Sequence, residues 1–507
     1  MTKGIVAAGH KATADVAAQV LASGGNAFDA VIAGLFAACV AEPVLASLGG
    51  GGFLMAHDPR HGGDDLLYDF FVDTPRNRLP SGKADFFGVV VDFGPATQEF
   101  HIGMGASATP GLVPGLFAVH RAHGSLPMAD LVAPAARIAR AGVEVNEFQD
   151  YLFRIAAPIY TRNAESRAIF APGGDPLKLG DTLRNPSLAN TLTLLGMSGE
   201  QLFVSGEVGR EIVGQCAALG GHLEASDLKG YRVEVRAPLV TQHKGAAIDL
   251  NPAPAASGPL IAFAMRLLDG IAGDREPSAL ELALAMAATN SARMELANEP
   301  ERILASDVIS AHVATLANHA GAYRGTTHIS VIDDDGRAAA ATVSNGEGNG
   351  RLVGPYGFML NNMLGEEDLN PEGFGNWQPG RRMSTMMAPT IIRTADGRLI
   401  ALGSGGSNRI RTAILQVAIN AIDRGMSLAD AVIAPRLHVE KCGTLSYEEQ
   451  IGSAAANSLR QAFPETRAWP EPNMFFGGVH AVERARDGKL SGIGDPRRAG
   501  VVIAVDA

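Results

Sequence analysis

The sequence predicts a layered α/β fold, and three features of the chain indicate it. Segments with helical apolar spacing alternate with segments of strand-like alternation along 507 residues, without a low-complexity linker. Hydrophobic residues make up 46% of the chain and charged residues 19%, which is enough apolar material for a sizeable buried core. The helical segments lie between the strands, and this order favours helices packed on sheets.

The first elements are predicted to be two helices joined by a short turn. Apolar residues between Val16 and Leu21 have helical spacing, and the sequence SGGN at 23–26 can end one helix and cap the next. The second helix, Ala27 to Ala41, is apolar but is interrupted by Asp29 and is too short to cross a bilayer. We therefore expect it to be buried inside the protein.

Four consecutive glycines, Gly49 to Gly52, follow the second helix. A glycine run can form a phosphate-binding loop, but no Lys-Ser/Thr pair follows here. Glycine also allows two backbone segments to cross at short distance because it has no β-carbon. We expect a close-packed crossing of this kind.

The remainder of the chain continues the alternation. Residues 109–300 alternate helical patterns with proline-marked loops, and the last third begins with strands. A long helix is predicted from Ile410 to Asp423, and Ser427 with Asp430 forms a capping pair that opens the next helix.

Composition excludes several classes of function. The formal net charge of −11 and the absence of a basic stripe argue against a nucleic-acid partner. The cysteines, Cys39, Cys216 and Cys442, are odd in number and widely spaced, so they form neither a disulfide framework nor a metal-binding pattern. The N-terminal sequence has no export signal, from which we expect a cytoplasmic protein without a membrane partner.

The sequence AYRGTTHISVIDDDGRAAAATVSN, at 322–345, predicts a β-hairpin. Alternation places Thr327 and Ile329 on one face of the first strand and His328 on the other. Asp335-Gly336 is a strong signal for a two-residue turn. In the register set by that turn, the preceding residue, Thr326, lies opposite Asn345 and next to Ser344.

A threonine at the start of this hairpin can be a strand residue or a nucleophile. A Thr hydroxyl needs a base within hydrogen-bond reach, and the sequence contains neither a recognisable His-Asp partner nor a GxSxG motif. If the chain were cut before Thr326, its own α-amino group, with a reference pKa of about 7.7 to 8.0, could be that base. Gly325 would let the hydroxyl approach the preceding carbonyl. The alternative is an ordinary edge strand.

The chain resembles the γ-glutamyltranspeptidase family of N-terminal nucleophile hydrolases over most of its length. The resemblance is carried by the collinear segments ATADVAAQVLASGGNAFDAVIAG, SLGGGGF, ASATPGLVPGLFAVHRAHGSLPMADLVAPAARIARAGV, TTHISVIDDDG, LNNM, MMAPTII, LGSGGSNRI, LQVAINAID and GDPRR. It implies a four-layer αββα sandwich and a precursor that cleaves itself at Gly325-Thr326. The products would be a large subunit, 1–325, and a small subunit, 326–507, that remain together as a heterodimer.

The resemblance also implies roles for individual residues. Thr326 matches the nucleophile, Ser344 matches a threonine that hydrogen-bonds it, and Gly405 and Gly406 match the oxyanion-hole glycines. The substrate-binding positions of the family correspond to Asn345, Glu366, Ser384 and Thr385. Glu366 would receive an α-ammonium group, and Ser384 with Thr385 would bind a carboxylate. The family chemistry implies no metal and no organic cofactor.

One position departs from the family pattern. In the segment YDFFVDTP, Phe71 stands where the family has an arginine that binds the α-carboxylate of the γ-glutamyl group. A phenyl ring cannot supply the paired donors of a guanidinium. Arg76 and Arg78 follow a few residues later and are candidates to replace it.

Three functional hypotheses follow from these observations. The first is a self-processing γ-glutamyl amide hydrolase or transferase acting on glutathione-like substrates. The second keeps the same catalytic residues but assigns another acyl donor, as in cephalosporin acylases, and Phe71 favours it. The third is an uncleaved, catalytically silent relative that acts through binding.

Overall fold

A computed structural model describes residues 2–62, 64–80, 82–92, 97–296, 300–309, 325–370 and 372–506. All statements about structure below concern these residues. Among them, no helix combines the length and the apolar character that a bilayer crossing requires.

The strands of the described residues form two large sheets and three small ones. They are β1 (Thr2–Ala8), β2 (Gly51–His57), β3 (Leu66–Phe70), β4 (Phe87–Asp92), β5 (Thr97–Ile102), β6 (Val143–Glu144), β7 (Thr182–Leu183), β8 (Glu234–Arg236), β9 (Leu239–His243), β10 (Ala246–Leu250), β11 (Thr327–Asp333), β12 (Ala338–Ser344), β13 (Thr390–Arg393), β14 (Leu399–Gly405), β15 (Leu437–Val439), β16 (Leu445–Glu448), β17 (Thr466–Trp469), β18 (Gly478–Arg484), β19 (Leu490–Ile493) and β20 (Val501–Asp506).

The helices lie between these strands, as the alternation of patterns predicts. They are α1 (Lys11–Ala22), α2 (Ala27–Ala41), α3 (Leu112–His123), α4 (Met128–Ala141), α5 (Glu147–Ile155), α6 (Ala157–Tyr160), α7 (Ala164–Phe170), α8 (Pro186–Ser198), α9 (Gln201–Val204), α10 (Glu207–Leu219), α11 (Ala225–Gly230), α12 (Ser257–Ala272), α13 (Ala279–Glu295), α14 (Arg409–Ile422), α15 (Leu428–Ile433) and α16 (Ser453–Ala462). The α/β class is therefore confirmed.

The predicted helix boundaries agree closely with the structure. Helix α2 spans the predicted residues, is buried along its whole length, and begins at Asn26 in a capping box with Asp29. Ser427 caps α15 by accepting a hydrogen bond from the Asp430 N–H group at 3.1 Å. Polar side chains at these helix starts satisfy N–H groups that have no partner within the helix.

The two large sheets face each other, and each has helices on its other side. The first sheet has the strand order β20-β1-β11-β12-β2-β3-β8, and the second has the order β19-β18-β14-β13-β10-β9. Strands β11 and β12 contact β14 of the second sheet, while α1 and α2 pack on the first sheet and α12 and α14 on the second. Alternate residues of β11 point to opposite faces of the first sheet. Val331 packs in the apolar core between this sheet and helices α1 and α2, and Ile332 packs in the core between the two large sheets.

The hairpin β11–β12 forms as predicted, but its predicted register is wrong by one residue. Thr327 pairs with Val343, so the residue before it aligns with Ser344 and not with Asn345. The Asp333 N–H group donates to the Arg337 carbonyl oxygen at 3.1 Å, which leaves a loop of three residues. Gly336 has φ of 83° in this loop, which is typical of a three-residue hairpin connection.

The glycine run 49–52 makes the predicted close crossing. A β-carbon at any of these positions would overlap a neighbouring backbone oxygen: that of Met359, Ser344, Phe70 or Thr342. Glycine at 50 and 52 therefore lets β2 lie directly against β12, the strand that carries Ser344.

Candidate active site

Two hydroxyl groups converge on the carbonyl oxygen of Gly325. The Thr326 hydroxyl donates to this oxygen at 2.7 Å, and the Ser344 hydroxyl donates to the same oxygen at 2.7 Å. The pairing of β11 with β12 brings the two side chains together at one end of the first sheet. Both residues are buried, with 5% of their surface exposed.

Backbone and carboxylate groups fix this arrangement. The Gly346 N–H group donates to the Ser344 hydroxyl oxygen at 3.0 Å, which leaves the Ser344 proton directed at Gly325. The Gly325 N–H group donates to a Glu347 carboxylate oxygen at 3.2 Å. The peptide before Thr326 is therefore held from both sides.

The second threonine of the pair has a structural partner. The Thr327 hydroxyl donates to Glu42 at 2.6 Å, and the Thr13 hydroxyl donates to the other oxygen of that carboxylate at 2.7 Å. The Glu42 side chain is buried, so these bonds compensate for its loss of water. Through Glu42, Thr327 links the start of β11 to α1 and to the end of α2. Thr326, in contrast, lines the cavity described next.

A small cavity of about 40 Å³ adjoins Thr326. It contains most of the residues that the resemblance selected, together with residues it did not. Its lining consists of Phe71, Arg293, Gly325, Thr326, Ser344, Met363, Glu366, Asp368, Leu369, Ser384, Thr385, Met386, Met387, Ser407, Asn408 and Ile410. Two carboxylates, one guanidinium and several hydroxyls from separate parts of the chain therefore line the cavity next to Thr326.

Gly405, one of the two predicted oxyanion-hole glycines, lies beside the backbone of Thr326. A β-carbon at Gly405 would overlap the Thr326 carbonyl oxygen, so the backbones of these two residues are in close contact. The Arg498 guanidinium donates to the same oxygen at 3.4 Å. Burial and the neighbouring Arg409 guanidinium lower the pKa of Arg498 to about 10, which leaves it charged at neutral pH.

A larger cavity of about 630 Å³ meets the small one at Gly325. Gly406 lines this second cavity, as do Arg409 and Arg498 and the aromatic residues Phe100, Phe148, Tyr151, Trp469 and Phe475. The scissile position predicted from the sequence therefore lies between two cavities of different size and chemistry.

Asn345 is the predicted substrate-binding residue that the structure places outside the small cavity. It is fully buried and follows β12, and its backbone oxygen accepts from the Asn362 N–H group at 3.3 Å. The nearby Tyr160 hydroxyl donates to the Pro43 carbonyl oxygen at 2.7 Å, and burial raises its pKa.

Phe71 lies in the wall of the small cavity and belongs to the apolar core. Its side chain is fully buried, with its ring 5.9 Å from that of Phe53. Arg76 and Arg78 are exposed and are not among the lining residues; the Arg78 guanidinium lies 5.8 Å from the Trp377 ring. Neither arginine therefore lies where it could bind a carboxylate in the small cavity.

The buried histidines near the site have structural partners. The His328 ring nitrogens lie 2.7 Å from the Thr342 hydroxyl and 2.8 Å from the Ser330 hydroxyl. Burial lowers the pKa of His328 well below its usual value and that of His480 to about 4, so both are neutral at pH 7. Among the described residues, no group of three or more His, Cys, Asp or Glu side chains is arranged to hold a metal ion.

Comparison with known sequences identifies the family of this chain. The profile described as Gamma-glutamyltranspeptidase matches residues 13–505. The chain belongs to the gamma-glutamyltranspeptidase family. It is therefore an enzyme of this family of amide hydrolases and acyltransferases, and the hypothesis of a non-enzymatic relative has no support.

Relatives within the gamma-glutamyltranspeptidase family differ in their names. The chain is 30% identical to the acylase ACY 1 proenzyme of Pseudomonas sp. (strain V22), over 99% of this chain and 94% of the relative. It is 28% identical to the glutathione hydrolase proenzyme of Escherichia coli (strain K12), over 98% of this chain and 90% of the relative. Both relatives are named as proenzymes.

Solved structures agree with this family membership at the level of the fold. The structure of cephalosporin acylase from Bacillus halodurans aligns with a TM-score of 0.85, at 21% identity, over 100% of this chain and 96% of that one. The gamma-glutamyltranspeptidase of Helicobacter pylori aligns with a TM-score of 0.53, at 23% identity, over 61% of this chain and 90% of that one.

Sequence reasoning missed several residues of this gamma-glutamyltranspeptidase family site. Arg293 comes from α13, and Asn408 and Asp368 come from two separate segments after β12. Arg293 donates to Asn408 at 3.4 Å, and Asn408 donates to Asp368 at 3.0 Å. The available signal was one arginine in the alanine-rich segment ALELALAMAATNSARME. No local sequence pattern predicts that the Arg293 guanidinium reaches a cavity.

Proposed function

We propose that this chain cuts itself between Gly325 and Thr326 and that Thr326 then acts as the nucleophile for γ-glutamyl amide substrates. The observation that carries the proposal is the pair of hydroxyls, Thr326 and Ser344, each 2.7 Å from the Gly325 carbonyl oxygen. One hydroxyl is covalently adjacent to its target, and the other is placed to stabilise negative charge on the oxygen.

The cleavage proceeds in two balanced steps. The Thr326 hydroxyl oxygen attacks the Gly325 carbonyl carbon, its proton passes to the amide nitrogen, and the C–N bond breaks to leave an ester and a free amine. Water then hydrolyses the ester, which produces the Gly325 carboxylate and restores the Thr326 hydroxyl. The Gly325 carbonyl oxygen becomes anionic in both steps, and the Ser344 hydroxyl donates to it. The Gly346 N–H group donates to the Ser344 oxygen and so keeps the Ser344 proton directed at Gly325.

The products are a large subunit, 1–325, and a small subunit, 326–507, folded together as one four-layer αββα sandwich. Two facing sheets with helices on their outer sides support this architecture. Strand pairing supports a lasting heterodimer: β11 lies between β1 and β12, β12 pairs with β2, and β10 pairs with β13. The cut leaves each of these ladders in place.

In the processed enzyme the amino group of Thr326 takes the proton of its own hydroxyl during attack on the substrate amide and delivers it to the leaving amine. The reference pKa of about 7.7 to 8.0 for an α-amino group suits this exchange near neutral pH. Backbone N–H groups of Gly405 and Gly406 stabilise the oxyanion. Water or an acceptor amine then releases the acyl group.

The charges of the small cavity favour a γ-glutamyl donor. Glu366 and Asp368 suit an α-ammonium group, and Ser384 with Thr385 supplies hydroxyl donors for a carboxylate. The second candidate is an acylase with a donor that has no α-carboxylate. Phe71 in the cavity wall favours it, as does the similarity to a relative named as an acylase.

Intact-mass analysis and amide assays test the proposal. We expect two chains, 1–325 and 326–507, and faster cleavage of glutathione than of an unsubstituted aliphatic amide. A single intact chain without amide cleavage would overturn it. Two chains with a preference for the aliphatic amide would select the second candidate.

A further inference from the structure

The small cavity contains a cation that comes from an element remote from the hairpin. Among its lining residues in the described part of the chain, Arg293 is the one basic side chain, and it shares the cavity with Thr326 and the acids Glu366 and Asp368. Arg293 lies near the end of α13, which packs with α12 on the second-sheet side of the molecule. Its charge therefore enters the site from the side opposite the first sheet.

The position of the Arg293 guanidinium is set by a short chain of hydrogen bonds. It donates to the Asn408 side-chain oxygen at 3.4 Å, and the Asn408 amide donates to Asp368 at 3.0 Å. Asn408 directly precedes α14 and follows the glycine pair by two residues. The guanidinium is thereby linked to the segment that directly follows the glycine pair.

The geometry points to Arg293 as the anchor for the carboxylate of the acyl donor, an inference that rests on the proposed function. A guanidinium has five N–H donors in a planar fork, and binding a carboxylate through two of them is compatible with its bond to Asn408. The anchor is thus placed on α13, in a cavity that Phe71 also lines. The acyl donors recognised are those with a terminal carboxylate.

Other arginines near the cavity do not compete for this role. Arg382 precedes Ser384 in the chain, but its guanidinium is bonded to Asp69 and to Asp73, the latter at 2.7 Å, and to the Arg232 carbonyl oxygen at 2.7 Å. The buried Asp69 carboxylate and the half-buried Asp73 carboxylate satisfy its charge. Arg78 is exposed beside Trp377.

The acids in the same cavity refine the class of substrate. Glu366 and Asp368 attract an ammonium group, so a donor with both a carboxylate and an adjacent ammonium pairs with both signs of charge. A γ-glutamyl group has both, a glutaryl group has the carboxylate alone, and a butyryl group has neither. These three acyl groups have the same reacting carbonyl and similar length, so they separate the contributions.

Four para-nitroanilides test the assignment: γ-glutamyl, glutaryl, 4-aminobutyryl and butyryl. Arg293→Met should lower kcat/KM about ten- to a hundredfold for the γ-glutamyl and glutaryl substrates, the usual worth of a charged hydrogen bond. It should leave the 4-aminobutyryl and butyryl substrates within about twofold of wild type, because they have no carboxylate to lose. Arg293→Lys should restore part of the loss, since it keeps the charge without the fork.

The matched control is Arg140→Met, which removes an exposed arginine from α4 that is not in the cavity lining. It should change no substrate. Inhibition of the wild-type enzyme gives a measurement that does not depend on any variant: glutaramate, the monoamide of glutarate, should bind at least about tenfold more tightly than butyramide, which has no carboxylate.

Defined outcomes overturn the inference. Equal losses of kcat/KM with all four substrates would show that Arg293 has a structural role only. Wild-type kcat/KM for all four substrates would show that Arg293 does not contact the acyl donor. If Arg293→Met fails to fold, equal inhibition of the wild type by glutaramate and butyramide overturns the inference. If the wild type is cut and cleaves amides but shows none of these preferences, the inference alone fails. If the wild type stays one chain and cleaves no amide, the proposed function fails with it.

Discussion

Replacing Ser344 with alanine should slow self-cleavage without preventing folding. In the intact chain the Gly325 carbonyl oxygen accepts from the hydroxyls of Thr326 and Ser344 at equal distances of 2.7 Å. When the Thr326 oxygen attacks, its proton has left and it no longer donates. Of these two hydroxyls, Ser344 alone then faces the developing negative charge, and a hydrogen bond to a charged oxygen is stronger than one to a neutral carbonyl.

The expected rate loss follows from this change of partner. Removing one donor from an oxyanion typically costs about 2.7 to 4 kcal/mol of transition-state stabilisation, or about 10²- to 10³-fold in rate. The effect on folding is smaller and separate: the Gly346 N–H group loses its acceptor, which costs about 1 to 3 kcal/mol of the free energy of unfolding. Ser344→Thr keeps the hydroxyl and should be cut at nearly the wild-type rate.

Precursor made by cell-free synthesis can be sampled over time and separated on a denaturing gel. The fraction of cut chain gives the rate for wild type, Ser344→Ala and Ser344→Thr, and thermal unfolding of the uncut material reports on the fold. Cleavage of a folded Ser344→Ala precursor at the wild-type rate would refute the reasoning, because the hydroxyl would then contribute nothing to the transition state.

Three further predictions address the nucleophile, the cavity wall and a buried acid pair. Thr326→Ala should remain a single chain of 507 residues on a denaturing gel, and cutting at the same bond would exclude Thr326 as the nucleophile. Phe71→Ala should lower the free energy of unfolding by about 3 to 5 kcal/mol in urea titration, because a fully buried ring is removed, and a loss below about 1 kcal/mol would contradict this packing. Burial and the hydrogen bond that protonated Asp249 donates to the Asp65 carboxylate raise the pKa of Asp249 to about 7. The folded state therefore holds a proton that the unfolded chain has released above about pH 3.9, and this contribution to stability is lost as pH rises from there through about 7. The melting temperature of wild type should fall over that window more than that of Asp249→Asn, and parallel curves would contradict the shift.

The elements with strong local signals were predictable from the sequence. Helix α2 and the cap of α15 follow from spacing and from Asn26 and Ser427, because such signals act within one turn of helix. The register of the hairpin was not predictable from Asp335-Gly336 alone. The loop takes one more residue, since the Asp333 carboxylate and backbone both bond Arg337 and close the loop there.

The residues of the candidate site that belong to one short segment were predictable from the sequence. The residues that reach the site only through tertiary packing were not. Thr326, Ser344 and Gly325 belong to one hairpin, and the structure brings them together. Arg293 lies on a helix more than thirty positions upstream, and its contact with the cavity depends on how α13 packs against α12 and β15. Arg76 and Arg78 are near Phe71 in sequence, but they are exposed and do not line the small cavity.

The pairing of Gly4 with Asp333 joins two segments that the proposed cut at Gly325-Thr326 would place in separate chains. Before the cut, folding is unimolecular, and the cost of closing so long a loop grows only slowly with its length. After the cut, the same strands must find each other from separate molecules, and their encounter depends on concentration. A processed protein would therefore keep a shape that its two chains no longer assemble efficiently from the denatured state. Its persistence would be set by the barrier to unfolding, so the proposed cut would create the catalytic amine and at the same time make unfolding hard to reverse.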